Sequence, residues 1–278
     1  MSIITLTSDF GYKDHYVGAL KGKILSQFLE AKIVDLSHQI NYFNVFETSY
    51  IIEASYKNFP KNTVHLVCVN AERIENIKHI VMQWEDQFFI AADNGILNSL
   101  IQKKKAQKIA IITIHDRLED ASDMNVFATV ACHLAKGGNI SVIGKEIDAL
   151  SEFHTQNLAV SDTFDEIKGT IIYIDHFGNC VTNITKKIFD EIAKNRSFEI
   201  KFKNKTLFRI NKNYSDFTLS TNKHLKKHEG DYLAIFNEAG YLEIAIYNGT
   251  PDTLGTATSL IGLRFRDFVT IKFKQPNT

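Results

Sequence analysis

Cysteine is scarce and scattered, with Cys68, Cys132 and Cys180 the three in 278 residues. An odd number, far apart and inside apolar stretches, reads as buried thiols in a reducing compartment, not as a disulfide framework. There is no CxxC pair and no Cys/His cluster of zinc spacing, so no metal site is expected. His65, His79 and His115 are scattered and read as structural or surface residues. A charge excess is also missing. Lys and Arg total 32, as do Asp and Glu, so the basic surplus of a nucleic-acid binder is absent. The runs Lys103-Lys104-Lys105 and Lys226-Lys227 read as solvated faces. No run of about 18 apolar residues could cross a membrane. The opening Met-Ser-Ile-Ile-Thr-Leu-Thr-Ser-Asp has neither the basic start nor the long apolar stretch of a secretory leader. A cytoplasmic protein with no membrane and no nucleic-acid partner is the expectation. No internal repeat or low-complexity segment is evident.

What is present is the balance of a globular enzyme-sized chain, 44% hydrophobic and 23% charged, with 20 Phe and 10 Tyr to fill a core. The length suits one large domain or two modest ones, with two favoured. In the first half, strand-like and helix-like patterns alternate. Ile3–Thr7, Ile33–Leu36, Val64–Val69, Ile77–Trp84, Phe88–Ala91 and Ile109–Ile112 read as strands. Val17, Leu20, Ile24 and Phe28 recur at helical spacing, and Val45–Tyr56 and Met124–Leu134 read as helices. The apolar run Val64–Val69 suits a central parallel strand. The pattern predicts an α/β fold whose N-terminal domain, residues 1–155, is a mostly parallel α/β sandwich. A polar linker is expected over 156–166. Over 167–278 short alternating runs prevail: Gly169–Ile174, Ser197–Phe202, Lys205–Ile210, Tyr232–Phe236, Tyr241–Tyr247 and Phe268–Phe273. They predict a smaller antiparallel β domain, barrel-like, with one helix at Ile184–Ala193.

Four segments could carry chemistry. Thr7-Ser8-Asp9-Phe10-Gly11-Tyr12-Lys13-Asp14 puts two carboxylates at the end of the first strand, where open α/β sheets bind ligands. Such a carboxylate can accept both hydrogen bonds of a ribose diol, or it can cap the following helix. Ala92-Asp93-Asn94-Gly95 taken alone is a tight turn. Tyr173-Ile174-Asp175-His176-Phe177-Gly178-Asn179-Cys180-Val181-Thr182-Asn183-Ile184 offers an Asp for an ammonium group, a Phe for stacking and an Asn amide for a purine edge. The competing reading is a hairpin turn with incidental polarity. Asn237-Glu238-Ala239-Gly240-Tyr241-Leu242-Glu243-Ile244-Ala245 reads first as a hairpin followed by a strand.

Together, in this order, these segments resemble the S-adenosyl-L-methionine (SAM) hydroxide adenosyltransferase family, relatives of the SAM-dependent fluorinase and chlorinase. Lys21-Gly22, Phe59-Pro60 with Thr63-Val64-His65, and Thr182-Asn183-Ile184 add to the likeness, which runs from about Ile3 to Phe273. The resemblance implies an α/β domain followed by a β domain, a homotrimer, and a site between one subunit's first domain and its neighbour's second. Asp9 would hold the ribose hydroxyls, and Asp14 and Asp175 the methionine ammonium group. Phe177 would stack near the adenine, and Asn179 with the backbone near Asn248 would read its edge. SAM, adenosine or a related nucleoside would be the partner, with SAM as substrate or ligand and no cofactor. The chemistry implied is displacement at the ribose 5′ carbon with methionine leaving. Water gives adenosine and halide gives a halogenated nucleoside.

The residues that handle the nucleophile depart from the family. Its water-using members carry an Asp in a Val-Asp-Pro-Gly-like segment, an Arg seven residues on, and a His in a His-Gly-Arg-Asp-like segment. Here Asn70, Ile77 and Ser122 fall at those positions, with Asp123 beside the last. Glu238 stands where Ser is expected near the methionine carboxylate, and a second carboxylate there repels the ligand's own. Two readings follow. In one the chain hydrolyses SAM with an altered water site of Asn70, Ser122 and Asp123, with Glu72, Arg73 or Glu75 in the adjacent loop. In the other it holds SAM or adenosine without turnover. Halogenation is disfavoured, because Asp123 would put a carboxylate beside the halide.

Overall fold

The structure is a computed structural model that describes residues 2–101, 104–151, 158–216, 225–252 and 254–274. Lys103 of one lysine run, the Lys226 side chain of the other, and residues 156–157 of the expected linker lie outside the described residues. The chain divides into two compact units, Met1–Thr155 and Gln156–Thr278.

The first unit is built on a seven-stranded sheet of order β2-β1-β3-β5-β4-β6-β7. Its strands are β1 (Ile3–Ser8), β2 (Lys32–Ser37), β3 (Val64–Cys68), β4 (His79–Trp84), β5 (Gln87–Ala92), β6 (Lys108–Ile112) and β7 (Gly144–Glu146). Strands β2, β1, β3 and β5 are mutually parallel. β4 runs against β5, β6 against β4 and β7 against β6, so β6 points with the parallel four, five of the seven strands share one direction, and the sheet is mostly parallel in that sense. Every residue of β3 is buried, as a central strand covered on both faces requires. Alternation then sends Leu66 and Cys68 to one face and Val67 and Val69 to the other. Helices α1 (Tyr16–Gln27) and α4 (Asp123–Ala135) cover the first face through Leu20, Ile24, Phe127 and Val130. Helices α2 (Val45–Ser55) and α3 (Ile96–Ile101) cover the second through Ile52, Ile96 and Leu97.

The second unit is an antiparallel sheet of order β12-β11-β15-β9-β10-β14-β13. The strands are β9 (Glu166–Ile174), β10 (Cys180–Thr185), β11 (Phe198–Phe202), β12 (Lys205–Leu207), β13 (Tyr232–Phe236), β14 (Tyr241–Ile246) and β15 (Phe268–Phe273), while β8 (Ala159–Val160) pairs on the side with β9. A bridge from Asn211 to Ile235 returns the segment after β12 to β13, so the sheet is nearly closed and barrel-like. Its core gathers Ile171, Ile184, Phe202, Leu242, Ile244 and Ile271. Helix α5 (Lys186–Ala193) is capped by the Thr185 side chain, and the short α6 (Ala257–Leu260) by Thr256.

Several boundaries differ from the sequence-based expectation. The helix expected from Ile184 starts at Lys186, because Cys180–Thr185 is strand β10. β4 starts at His79, since Ile74 and Ile77 exchange backbone hydrogen bonds and turn the chain first. β12 ends at Leu207, short of Ile210, and Ala159–Val160 of the expected linker is strand β8. The three cysteines are free and buried. Among the described residues no helix is long and apolar enough to cross a membrane.

Candidate functional site

In the first unit, Asp9, Asn70 and Asn94 follow the carboxyl ends of neighbouring parallel strands β1, β3 and β5. This is the edge where a parallel sheet exposes unpaired backbone groups to a ligand. Asp9 Oδ2 accepts the Phe43 amide at 2.9 Å, which props Phe43 in a left-handed conformation. Asp9 does not cap α1. His15 takes the N-cap position, without a side-chain cap bond. Asp14 is exposed one residue earlier. Behind Asp9, burial, with Asp9's charge second, pushes the Cys68 thiol up to about 12, which leaves it an inert core thiol. Ser8, under Asp9 in the strand, shares a 2.6 Å hydrogen bond with His38 Nδ1, and Lys21 holds Asp35 at 2.6 Å.

The loop after β3 is pinned by side chains from three other elements. Asn94 is buried and donates its amide to the Val69 carbonyl at 3.2 Å and the Asn70 carbonyl at 3.0 Å. Its amide hydrogens thus serve the loop, and the turn reading of Asp93-Asn94-Gly95 describes part of its work. The Arg73 amide donates to Asp123 Oδ2 at 3.1 Å. His79 Nε2 donates to the Ala71 carbonyl at 2.7 Å. Between these pins Asn70 is exposed and left-handed, with φ 45°.

Asp123 is the first residue of α4, and Ser122 is the N-cap. An acid in that first turn is favoured by the helix dipole. The Asp123 side chain is 37% exposed, with Oδ1 3.9 Å from His79 Nε2, so it can accept a hydrogen bond from water. Ser122 is exposed, its hydroxyl makes no cap bond, and its amide donates to Asp120 Oδ1 at 3.0 Å. The structure therefore brings Asn70, Asn94 and Asp123 together around one loop. Among the described residues it does not draw the Ser122 hydroxyl or the Asp14 side chain into a hydrogen bond there. Ile77 is half-buried, and Lys78 Nζ reaches the Glu75 carbonyl.

In the second unit, Asp175–Asn179 forms the β9–β10 turn. Asp175 Oδ1 accepts the Phe177 and Asn179 amides at 2.9 and 2.8 Å, and Oδ2 accepts the Asn179 side chain at 2.9 Å. The hairpin reading is therefore correct as geometry, and the same turn fixes Asn179 while leaving Phe177 61% exposed. Gly178 is required twice over: its φ is +75°, and a Cβ there would meet Thr256 at 2.5 Å. Glu238 and Asn248 are exposed beyond strand ends, Asn248 left-handed with φ 53°.

Sequence reasoning missed the polar group beneath this turn. Glu243 is buried in β14 and accepts from Tyr214 Oη and, at 3.2 Å, from the Asn237 amide. Tyr214 Oη also accepts from the Asn179 amide at 3.4 Å. Burial raises the Glu243 carboxyl above its ordinary value, against the hydrogen bonds from Tyr214 and Asn237. The signal was present: a carboxylate inside the apolar run Tyr241–Tyr247 must find partners. His79 was likewise missed as a neighbour of the candidate site, although it opens a strand too apolar to leave an imidazole unpartnered.

Comparison with known proteins adds the chemistry to this geometry. The profile of the SAM hydroxide adenosyltransferase N-terminal domain matches residues 4–144, and that of its C-terminal domain residues 169–270. The chain is similar to an (R)-S-adenosyl-L-methionine hydrolase of Methanocaldococcus jannaschii, 27% identical over 280 aligned residues that cover 98% of this chain and 96% of the relative. It is also similar to a fluorinase of Actinopolyspora mzabensis, 22% identical over 87% of this chain and 90% of the relative. A solved structure of a conserved protein from Thermotoga maritima superposes with a TM-score of 0.80 at 26% identity, covering 97% and 99% of the two chains.

Proposed function

The chain belongs to the SAM hydroxide adenosyltransferase family, and on that premise we propose that it hydrolyses SAM to adenosine and L-methionine with a rebuilt water site. The observation that carries this reading is Asp123, whose carboxylate closes on the Asn70–Arg73 loop while staying 37% exposed. Water bound by Asp123 and the Asn70 amide attacks the ribose 5′ carbon. The new C–O bond forms as the C–S bond breaks, and its electron pair stays on sulfur as the neutral thioether of methionine. The proton of the attacking water passes to Asp123 and on to solvent. The sulfonium leaves readily, so the protein's work is orientation and desolvation of the water. Asp9 holds the ribose diol, Asp14 and Asp175 face the ammonium group, Phe177 stacks near adenine, and Asn179 with the backbone near Asn248 reads its edge. Glu238 faces the carboxylate end and sets how well methionine is tolerated. Asp123 also argues against the halide chemistry of the fluorinase relatives, since an anion beside a carboxylate is disfavoured.

The test is incubation of the purified protein with each sulfonium epimer of SAM, followed by chromatography. Adenosine and methionine in equal amounts from the (R) form, the one in the name of the Methanocaldococcus jannaschii relative, are expected. A second reading, binding without turnover, is favoured by Asn70, Ile77 and Ser122 at the family's Asp, Arg and His positions. Adenosine that binds by calorimetry, with SAM recovered intact, would establish it.

A further inference from the structure

We infer that His79 is a positioning residue for the nucleophile side of this reaction, because its imidazole fixes the loop that carries Asn70 and meets Asp123. This rests on the hydrolase reading. His79 opens β4 and is 1% exposed, so it touches neither solvent nor ligand and acts through its neighbours. The Ala71 carbonyl, 2.7 Å from Nε2, can only accept, so the ring proton sits on Nε2. Nδ1 is buried and has no hydrogen-bond partner among the described residues. A ring flip would lose the one polar contact the side chain makes with the loop. The ring is also clamped by Phe127 and His115, with centroids 4.5 and 5.7 Å away.

The groups facing the ring are the Asp123 carboxylate at 3.9 Å, Arg73 and His115. Burial holds the His79 pKa below its ordinary value, against the Ala71 hydrogen bond and the Asp123 charge, so the ring is a neutral donor at neutral pH. The geometry that depends on it is demanding. Asn70 is left-handed, and Asn94, His79 and Asp123 hold the carbonyls of Asn70 and Ala71 and the amide of Arg73 in turn. Release of the Ala71 carbonyl frees the middle pin, so both water-binding groups lose their register while Asp9, Asp175 and Asn179 are untouched.

The test compares His79→Leu, His79→Gln and His79→Asn in the full chain, by steady-state hydrolysis of SAM and by adenosine calorimetry. Leu keeps bulk without a donor. Gln carries an amide nitrogen as far from the backbone as Nε2, and Asn falls short. For His79→Leu, kcat should fall on the order of 100-fold, as a misplaced reacting group does. KM and adenosine affinity should stay within about twofold, as when only transition-state contacts are lost. His79→Gln should recover at least about tenfold of that loss, and His79→Asn little of it. Equal kcat in Gln and Asn variants, unchanged kcat in the Leu variant, or affinity falling together with kcat would each overturn the inference. If His79→Leu does not fold, the Gln and Asn pair decides alone. Wild-type protein that releases no adenosine from SAM sinks the hydrolase reading and this inference with it, an outcome distinct from an active wild type indifferent to His79.

Discussion

Asp9 spends one carboxylate oxygen on the Phe43 amide and keeps lone pairs for a ribose diol. Asp9→Ala should therefore weaken adenosine binding by about 1.5–3 kcal/mol, the scale of charge-assisted hydrogen bonds. Calorimetry with unchanged affinity would reduce Asp9 to a prop for the Phe43 turn. His65 makes a second residue-scale prediction. It is fully buried and neutral, accepting the Thr5 hydroxyl on Nδ1 and donating Nε2 to Gln87 Oε1. Burial lowers its pKa from 6.5 to about 4. A histidine lowered on folding binds more protons unfolded, so its contribution is present above pH ~6.5 and is lost as pH falls toward ~4. The loss amounts to roughly 3 kcal/mol at most. Urea unfolding at stepped pH should show this decline, and His65→Gln should flatten it. A wild-type curve level from pH 7 to 4 would contradict the assignment. Residues of this kind were the least legible in the sequence. The motifs named Asp9, Asn70 and Asp123, but Tyr214 and Glu243 lie 29 positions apart and meet beneath Asn179 only once the barrel has formed.

Elements were more legible where burial imposes a period. Strand β3 and helix α4 announce themselves because the apolar spacing of each follows the surfaces it must cover. β10 did not, since Cys180-Val181-Thr182-Asn183-Ile184-Thr185 carries polar residues that serve the backbone inward: Thr182 Oγ1 donates to the Leu242 carbonyl and Asn183 Oδ1 accepts the Thr170 amide. β7 and β8 are three and two residues long, too short for any period to register. The N-terminus of α4 is the element on which the proposed chemistry turns. Ser122, not Asp123, is the N-cap, so Asp123 contributes a first-turn charge worth about 0.3–1 kcal/mol and the Arg73 contact. Asp123→Ala should accordingly lower the melting temperature a little and abolish adenosine release per folded molecule, with adenosine affinity intact. A lower melting temperature with unchanged turnover would leave Asp123 a structural acid and remove the proposed water site.

At the scale of the whole molecule, the class of each half was readable because parallel and antiparallel sheets leave different marks. Strands covered on both faces are continuous apolar runs, and strands of a small barrel alternate. Assembly leaves no such mark, and the homotrimer implied by the family is here a proposal. Two surface features support it. The segments that follow and contact Asp9 expose four aromatics, Tyr12 and Tyr16 after it in the chain and Tyr42 and Phe43 at its hydrogen-bond partner, at 57, 46, 82 and 70%. In the second unit Phe177 is 61% exposed on the turn that fixes Asn179. Exposed aromatics grouped beside a candidate ligand carboxylate are poorly placed for a monomer and suit a surface that a second copy covers. With net charge near zero, no long-range repulsion opposes association. Light scattering should give a mass about three times the 31.6 kDa of one chain at micromolar concentration. If Asp9 of one chain shares a ligand with Phe177 and Asn179 of the next, adenosine should also hold the trimer together on dilution, because a ligand that bridges copies favours the assembled state by mass action. A monomer at micromolar concentration would overturn the trimer. A trimer whose dissociation midpoint ignores saturating adenosine would keep the assembly but place the ligand within one chain.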